Sequence, residues 1–352
     1  MRLLAAALTC TLVATAAHAQ APAAPASPGP SPTGLVVGSG NFFSPIVSDL
    51  DRAVAFYRDG LGLDVQGAPA NADTNPALRN MFGLPDAQLR WQIGRPAGMR
   101  SGVEIVEIKK AGGKALERRL PDIGATTLIV LVRDLDSVFG RLKQLGAPVV
   151  TKGGAPLLVP GGARKSRAVI VKDPDGHFVE LFQPDPLPEA PATPAPNVIE
   201  VRVRLSVDDV ERETRLYRDA LGLAVRAPGE FAGQSTVLDM MGLPAGAQYR
   251  ASMFTVPTTG LTFELIDFKG VERRVVRGNI QDPGSTRMQL QVRDVDAAVA
   301  ALRQAGGTVV SAGGTTVELP GRGGASTKVA IVREPSNLFL VLLQAAAAPR
   351  PQ

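Results

Sequence analysis

An α+β fold built from four strand–helix–three-strand units, grouped into two tandem domains, is predicted by three features of this 352-residue chain. The first is an extended internal duplication. SDLDRAVAFYRDGLGL (Ser48 to Leu63) returns as DDVERETRLYRDALGL (Asp208 to Leu223), which sets Tyr57 and Tyr217 160 residues apart. MFGLP with MMGLP, GVEIVEIKK with TFELIDFKG (Glu104 and Glu264), and LVRDLDSV with QVRDVDAA keep the same order and spacing. The second is a doubling inside each half: VSDLDRAVAFYRDGLGL and VRDLDSVFGRLKQLGAP share an apolar strand, an aspartate, an amphipathic helix and a Leu-Gly exit. The third is that several short strand-like stretches follow each helix, so that βαβββ units start near residues 40, 125, 199 and 285.

The elements follow in chain order. Residues 1–19 read as a secretory signal peptide, one arginine before a short apolar run and small residues around Ala17-His18-Ala19. The run is too short to span a bilayer, so no membrane association is expected after cleavage, and the mature protein is expected to be periplasmic or secreted. Residues 20–37 are an Ala/Pro-rich tether, 38–185 the first domain, 186–196 a Pro-rich linker, 197–345 the second domain and 346–352 a tail. Each helix has an aspartate where an N-cap carboxylate accepts the first free amides, and Gly62, Gly146, Gly222 and Gly306 suit the exits. The loops TKGGAPLLVPGGARKS and SAGGTTVELPGRGG lack a Walker pattern and read as hairpins. Tyr57 and Tyr217 are expected to pack on the sheet and reach a polar partner.

Composition narrows the function. Cleavage removes Cys10 and His18, leaving no cysteine for a disulfide and His177 as the one histidine. The net charge of +5 is scattered along the chain, which gives no nucleic-acid footprint.

The order of the units, the D-hydrophobic-[DE] helix ending FYRD-x-LGL, and DPDGHFVELFQ resemble the vicinal oxygen chelate superfamily of glyoxalases, extradiol dioxygenases and bleomycin- or fosfomycin-resistance proteins. The resemblance implies two βαβββ modules per cupped sheet, with a metal held by residues of the first and last strand of each module. Alternation in TRMQLQV turns Arg287, Gln289 and Gln291 to the cup and Met288, Leu290 and Val292 to the helices. The same reading puts Phe42, Ser44 and Ile46, then Thr127, Ile129 and Leu131, then Arg202, Arg204 and Ser206 in the cups. Opening-strand positions where the family places histidine or glutamine hold Phe42, Thr127, Arg202 and Arg287. The last-strand positions, where it places glutamates, hold Glu104, Glu180, Glu264 and Val341.

With no imidazole among these positions, a zinc-, iron- or nickel-type site is not expected. No cofactor is predicted, and Glu104 with Glu180 is the candidate pair for a hydrated divalent cation. His177 reads as a turn cap. The leading expectation is an exported protein that binds a small organic molecule without a catalytic transition metal. Its first cup would be lined by Phe42, Ile129, Leu131, Phe178 and Phe182 around Glu104 and Glu180. In the second domain Arg202, Glu264 and Arg287 would form a plug, or with Gln289 and Gln291 a pocket for an anion. The alternative is a divergent metal-dependent lyase, isomerase or dioxygenase using Glu104 and Glu180.

Overall fold

The computed structural model describes residues 34–71, 75–161, 164–190, 194–320 and 326–344. The signal segment 1–19 and the tail 346–352 lie outside the described residues. Of the expected tether, residues 36 and 37 already belong to a strand, Val36–Ser39, which pairs with Thr286–Val292.

Each unit forms as its local pattern predicts. Asp49, Asp134, Asp209 and Asp294 cap the helices beginning at Leu50, Leu135, Val210 and Val295, each accepting from an amide two or three residues on. The four exit glycines all take positive φ. The first and third helices end in a wide π turn, over Phe56–Gly60 and Leu216–Ala220. Both Gly-rich loops are hairpins, Leu157–Gly161 with Arg164–Lys172 and Val317–Pro320 with Ser326–Arg333.

The pairing of units differs from the expectation that neighbours in sequence share a cup. Among the described residues, strands of units one and four make one sheet of eleven strands, and those of units two and three make another of seven. In the second, Thr126–Val132 runs antiparallel to Val198–Ser206, from Thr126 opposite Leu205 to Val132 opposite Val198. In the first, Thr286 and Arg287 lie opposite Pro45 and Ser44, and Ile46 donates to Ser285 O at 2.8 Å. Thr126 and Thr286, equivalent in the repeat, hydrogen-bond each other at 2.7 Å where the two sheets meet.

The connections between units hold this arrangement. Arg118 reaches across to Gly284 O at 2.6 Å. Asp122, fully buried, accepts from Arg119 Nη2 at 3.0 Å and Arg274 Nη2 at 2.8 Å. Burial alone would raise the Asp122 carboxyl, but the Arg274 and Arg119 hydrogen bonds outweigh it and hold it at about 2.

Leu128, Val130 and Val132 on one sheet and Met288, Leu290 and Val292 on the other join a single apolar cluster with helix residues such as Leu50, Leu135, Val210 and Val295. The cup faces carry separate, smaller clusters. Each is covered by a short helix from the repeated M-x-G-L-P segment, Pro76–Phe82 or Ser235–Met240. The partner unit clamps it: Ser311 Oγ donates to Met81 O and Thr151 Oγ1 to Met240 O, both at 2.8 Å. Gly83, at φ 66°, lies so close to the partner that a Cβ there would stand 2.2 Å from Val310 O.

The two halves differ at one buried strut. Tyr57 donates to Asp173 at 3.0 Å, and His177 lies between Asp173 Oδ2 and Ser285 O, 3.0 Å from each. Two acceptors require both ring nitrogens to donate, so His177 is an imidazolium facing a carboxylate. It ties unit two to unit four, a larger role than turn capping. Burial would push the imidazole down, but Asp173 outweighs burial and raises it. In the second half Leu338 replaces the histidine and Glu213 joins Glu334. Ser336 donates to Glu213 through its hydroxyl and to Glu334 through its amide, 2.8 Å each. Burial and the Glu213 charge push Glu334 well above the carboxylate range. Tyr217 is fully buried, and its hydroxyl has no hydrogen-bond partner among the described residues.

Two predictions follow from these contacts. Residues 38–185 expressed alone leave the strands Ser44–Val47 and Thr126–Val132 without their antiparallel partners. Size-exclusion chromatography is expected to show self-association or aggregation, and a stable monomer would contradict the pairing. Both raised groups make stability fall as pH rises. The Glu334 contribution is complete below the ordinary value of 4.5 and is lost toward its raised value; that of His177 is complete below 6.5 and lost as pH passes its folded value. Melting scans from about pH 5 to about pH 9 should show this decline, with a smaller acid-side portion in Glu334→Gln.

Candidate functional site

In the one–four cup, Glu104 stands on Val103–Lys109, Ser44 on the adjacent Ser44–Val47, and Arg287 and Gln289 on Thr286–Val292. Three donors converge on Glu104 Oε2: Arg287 Nη2 at 2.8 Å, Gln289 Nε2 at 2.9 Å and Ser44 Oγ at 3.2 Å. Arg287 is 2 % exposed, and its guanidinium carbon lies 4.7 Å from the centre of the Phe82 ring. Burial lowers the Arg287 pKa, and Glu104 opposes the shift. Gln289 Oε1 accepts from Asn41 N at 3.0 Å, which fixes the amide. Above this polar floor is a cavity of about 150 Å³, covered by Leu78, Met81 and Phe82 and walled by Leu89, Trp91, Val106, Leu319, Val341 and Leu343.

In the two–three cup a single guanidinium bridges two carboxylates. Arg204 Nη1 donates to Glu180 Oε2 at 2.6 Å and Nε to Glu264 Oε2 at 2.7 Å. The Arg204 and Glu180 side chains are 9 % and 4 % exposed. Burial works against the Arg204 charge, but Glu180 and Glu264 outweigh it and raise its pKa. Thr127 is the ladder partner of Arg204, and Ile129 that of Arg202. Phe178, Leu238, Met240, Met241 and Phe268 form the apolar cluster of this cup, with Phe182 packed against them.

Alternation placed these side chains on the right faces but in the wrong company. Glu104 and Glu180 lie in different cups, because their strands belong to different sheets. The Arg202, Glu264, Arg287 set is likewise divided. Arg202 pairs with Glu200 at 2.7 Å, partly exposed, so Arg202 and Arg204 face Glu180, Glu200 and Glu264 and leave no surplus positive charge for an anion. Phe42 leaves the cup and lines a groove with Met99, Glu200 and Leu261. Gln291 is exposed. Ile129, Leu131, Phe178 and Phe182 stand in unit two, away from Glu104. Sequence reasoning missed Phe82, Trp91 and the covering helix; the repeated MFGLP and MMGLP segments carried that signal.

Two family models match the chain, one for the glyoxalase/bleomycin resistance protein/dioxygenase superfamily over residues 41–181 and one for a glyoxalase-like domain over 202–320. The chain belongs to the vicinal oxygen chelate superfamily. Among solved structures, this tandem member is similar in fold to glyoxalase I from Zea mays (19% identity, TM-score 0.55, covering 86% of this chain and 92% of that one). A putative dioxygenase from Bacillus subtilis is also similar (14% identity, TM-score 0.50, covering 89% and 87%). No functionally curated protein matches.

The metal that this superfamily implies does not fit the donors present. In the one–four cup the one carboxylate is already held by a guanidinium, with Ser44, Gln289 and Val341 around it. In the two–three cup one guanidinium takes both carboxylates. No group of three or more His, Cys, Asp or Glu residues able to hold a metal occurs among the described residues, and both His177 nitrogens are engaged. The buried triad gives a test. Arg204→Met leaves two carboxylates without a cation and should cost about 3–5 kcal/mol in urea unfolding. The triple change Arg204→Met, Glu180→Gln, Glu264→Gln should recover most of that loss.

Proposed function

We propose that this protein is a binding member of its superfamily, exported from the cytoplasm, which holds a small organic molecule in the one–four cup without a catalytic transition metal. The observation that carries the reading is a contrast within that cup. The position expected for a metal is filled by the Arg287–Glu104 pair, while a covered apolar cavity of about 150 Å³ remains beside it. A chamber of this size, largely apolar with a few convergent polar groups, suits a compact ligand. The two–three cup, with its bridged triad, is read as the structural counterpart.

Export rests on the MRLLAAALTCTLVATAAHAQ pattern at the start of the chain. The metal-dependent alternative drew on Glu104 and Glu180 together, and the sheet topology separates them.

Trp91 is the one tryptophan of the chain and lines the cavity, so intrinsic fluorescence reports occupation. Titration of the chain starting at Gln20 with small aromatic and aliphatic compounds is expected to change Trp91 emission saturably. Elemental analysis of the same preparation should find zinc, iron, nickel and manganese well below one ion per chain. One tightly bound transition ion per chain would overturn the reading.

A further inference from the structure

We infer that the one–four cup selects an uncharged, compact ring molecule bearing a single group that both donates and accepts a hydrogen bond, such as a phenol or a carboxamide. The inference rests on the reading of this cup as the ligand site and adds the chemistry of its occupant.

The polar floor is asymmetric in a way that defines the guest. All three hydrogen bonds to Glu104 end on Oε2, from Ser44, Arg287 and Gln289. Oε1 accepts from no donor among the described residues, and Glu104, 14 % exposed, lines the cavity. Arg287 donates to Glu104 through Nη2, and neither Nη1 nor the buried Nε has an acceptor among the described residues. Gln289 is spent on both sides, its Nε2 on Glu104 and its Oε1 on Asn41 N. The floor therefore offers one free carboxylate oxygen as acceptor and, beside it, the unused N–H groups of one guanidinium as donors. The rest of the lining is hydrocarbon, aromatic or thioether.

Charge decides the remainder. Arg287 and Glu104 cancel, so a charged guest would enter an apolar chamber with no counter-charge of its own. A carboxylate would gain Arg287 but meet the lone pairs of Glu104 Oε1. An ammonium would gain Oε1 and meet the guanidinium. A neutral phenol or amide donates to Oε1 and accepts from Arg287 with no charge left over. The volume sets the size, since a cavity of about 150 Å³ is of the order that admits a single benzene-like ring. Phe82 and Trp91 supply aromatic surface against which such a ring packs.

The test compares phenol, benzamide, toluene, benzoate and benzylamine at neutral pH, read by Trp91 emission and by melting shift on the chain starting at Gln20. Phenol and benzamide are expected to bind about tenfold more tightly than toluene, the scale of a hydrogen bond to a charged group. Benzoate and benzylamine are expected to bind more weakly than either. Glu104→Gln alone leaves Arg287 buried without a counter-charge, so the double change Glu104→Gln, Arg287→Met is the control that keeps the cavity. In it toluene should still bind, and the advantage of phenol and benzamide should vanish. Toluene binding as tightly as phenol, a preference for benzoate or benzylamine, or an advantage that survives the double change would overturn the proposed ligand class while leaving the cup as the site. No response to any of the five compounds would overturn the site itself and this inference with it.

Discussion

Two buried guanidiniums and three carboxylates, Glu180 buried and Glu104 and Glu264 partly so, must be divided between two cups so that none is left alone. Ser44 and Arg204 are equivalent in the repeat, as are Thr127 and Arg287, so units one and two carry a hydroxyl where units three and four carry an arginine. Pairing unit one with four and two with three gives each cup one arginine and one hydroxyl. Arg287 then meets Glu104, and Arg204 meets Glu180 and Glu264. Pairing neighbours instead would bury Glu104 and Glu180 without a cation, and set Arg204 and Arg287 against Glu264 alone. Isolated buried charges are so costly that this arrangement is disfavoured whatever the strands prefer.

The same compensation explains how the fold persists without the superfamily's expected ligand set. In the two–three cup a guanidinium gathers carboxylates from separate strands, and in the one–four cup a carboxylate gathers donors from them. Such a pair need contribute little net stability, because desolvation offsets its attraction, yet losing either partner is expensive. The one–four cup uses one carboxylate and keeps space under its covering helix, whereas the two–three cup spends two. Similar ancestry has thus left the two cups with different polar centres.

The strut at the sheet junction shows the two halves diverging in a second way. Tyr57, Asp173 and His177 form a closed set in which every polar atom named finds a partner. Tyr217, Glu334 and Glu213 exchange the imidazolium for a second carboxyl, and Tyr217 Oη has no partner among the described residues. Burial and the Glu213 charge raise Glu334 there, at the expense of stability in alkaline solution.

How far the sequence determined the protein is visible in individual residues. The aspartate caps, the exit glycines, the hairpins and the inward set Ser44, Glu104, Arg204 and Arg287 were legible, because they depend on local periodicities of the chain. The covering helix was signalled by MFGLP and MMGLP but not its role, which appears only where Ser311 and Thr151 reach across to it. Which side chains share a cup was decided by tertiary structure alone. Four opening strands of equivalent pattern can pair in more than one way, and burial of their charges disfavours pairing neighbours. The sequence by itself therefore determined four βαβββ units and the inward faces of their strands. The tertiary structure decided that Glu104 belongs with Arg287 and Glu180 with Arg204.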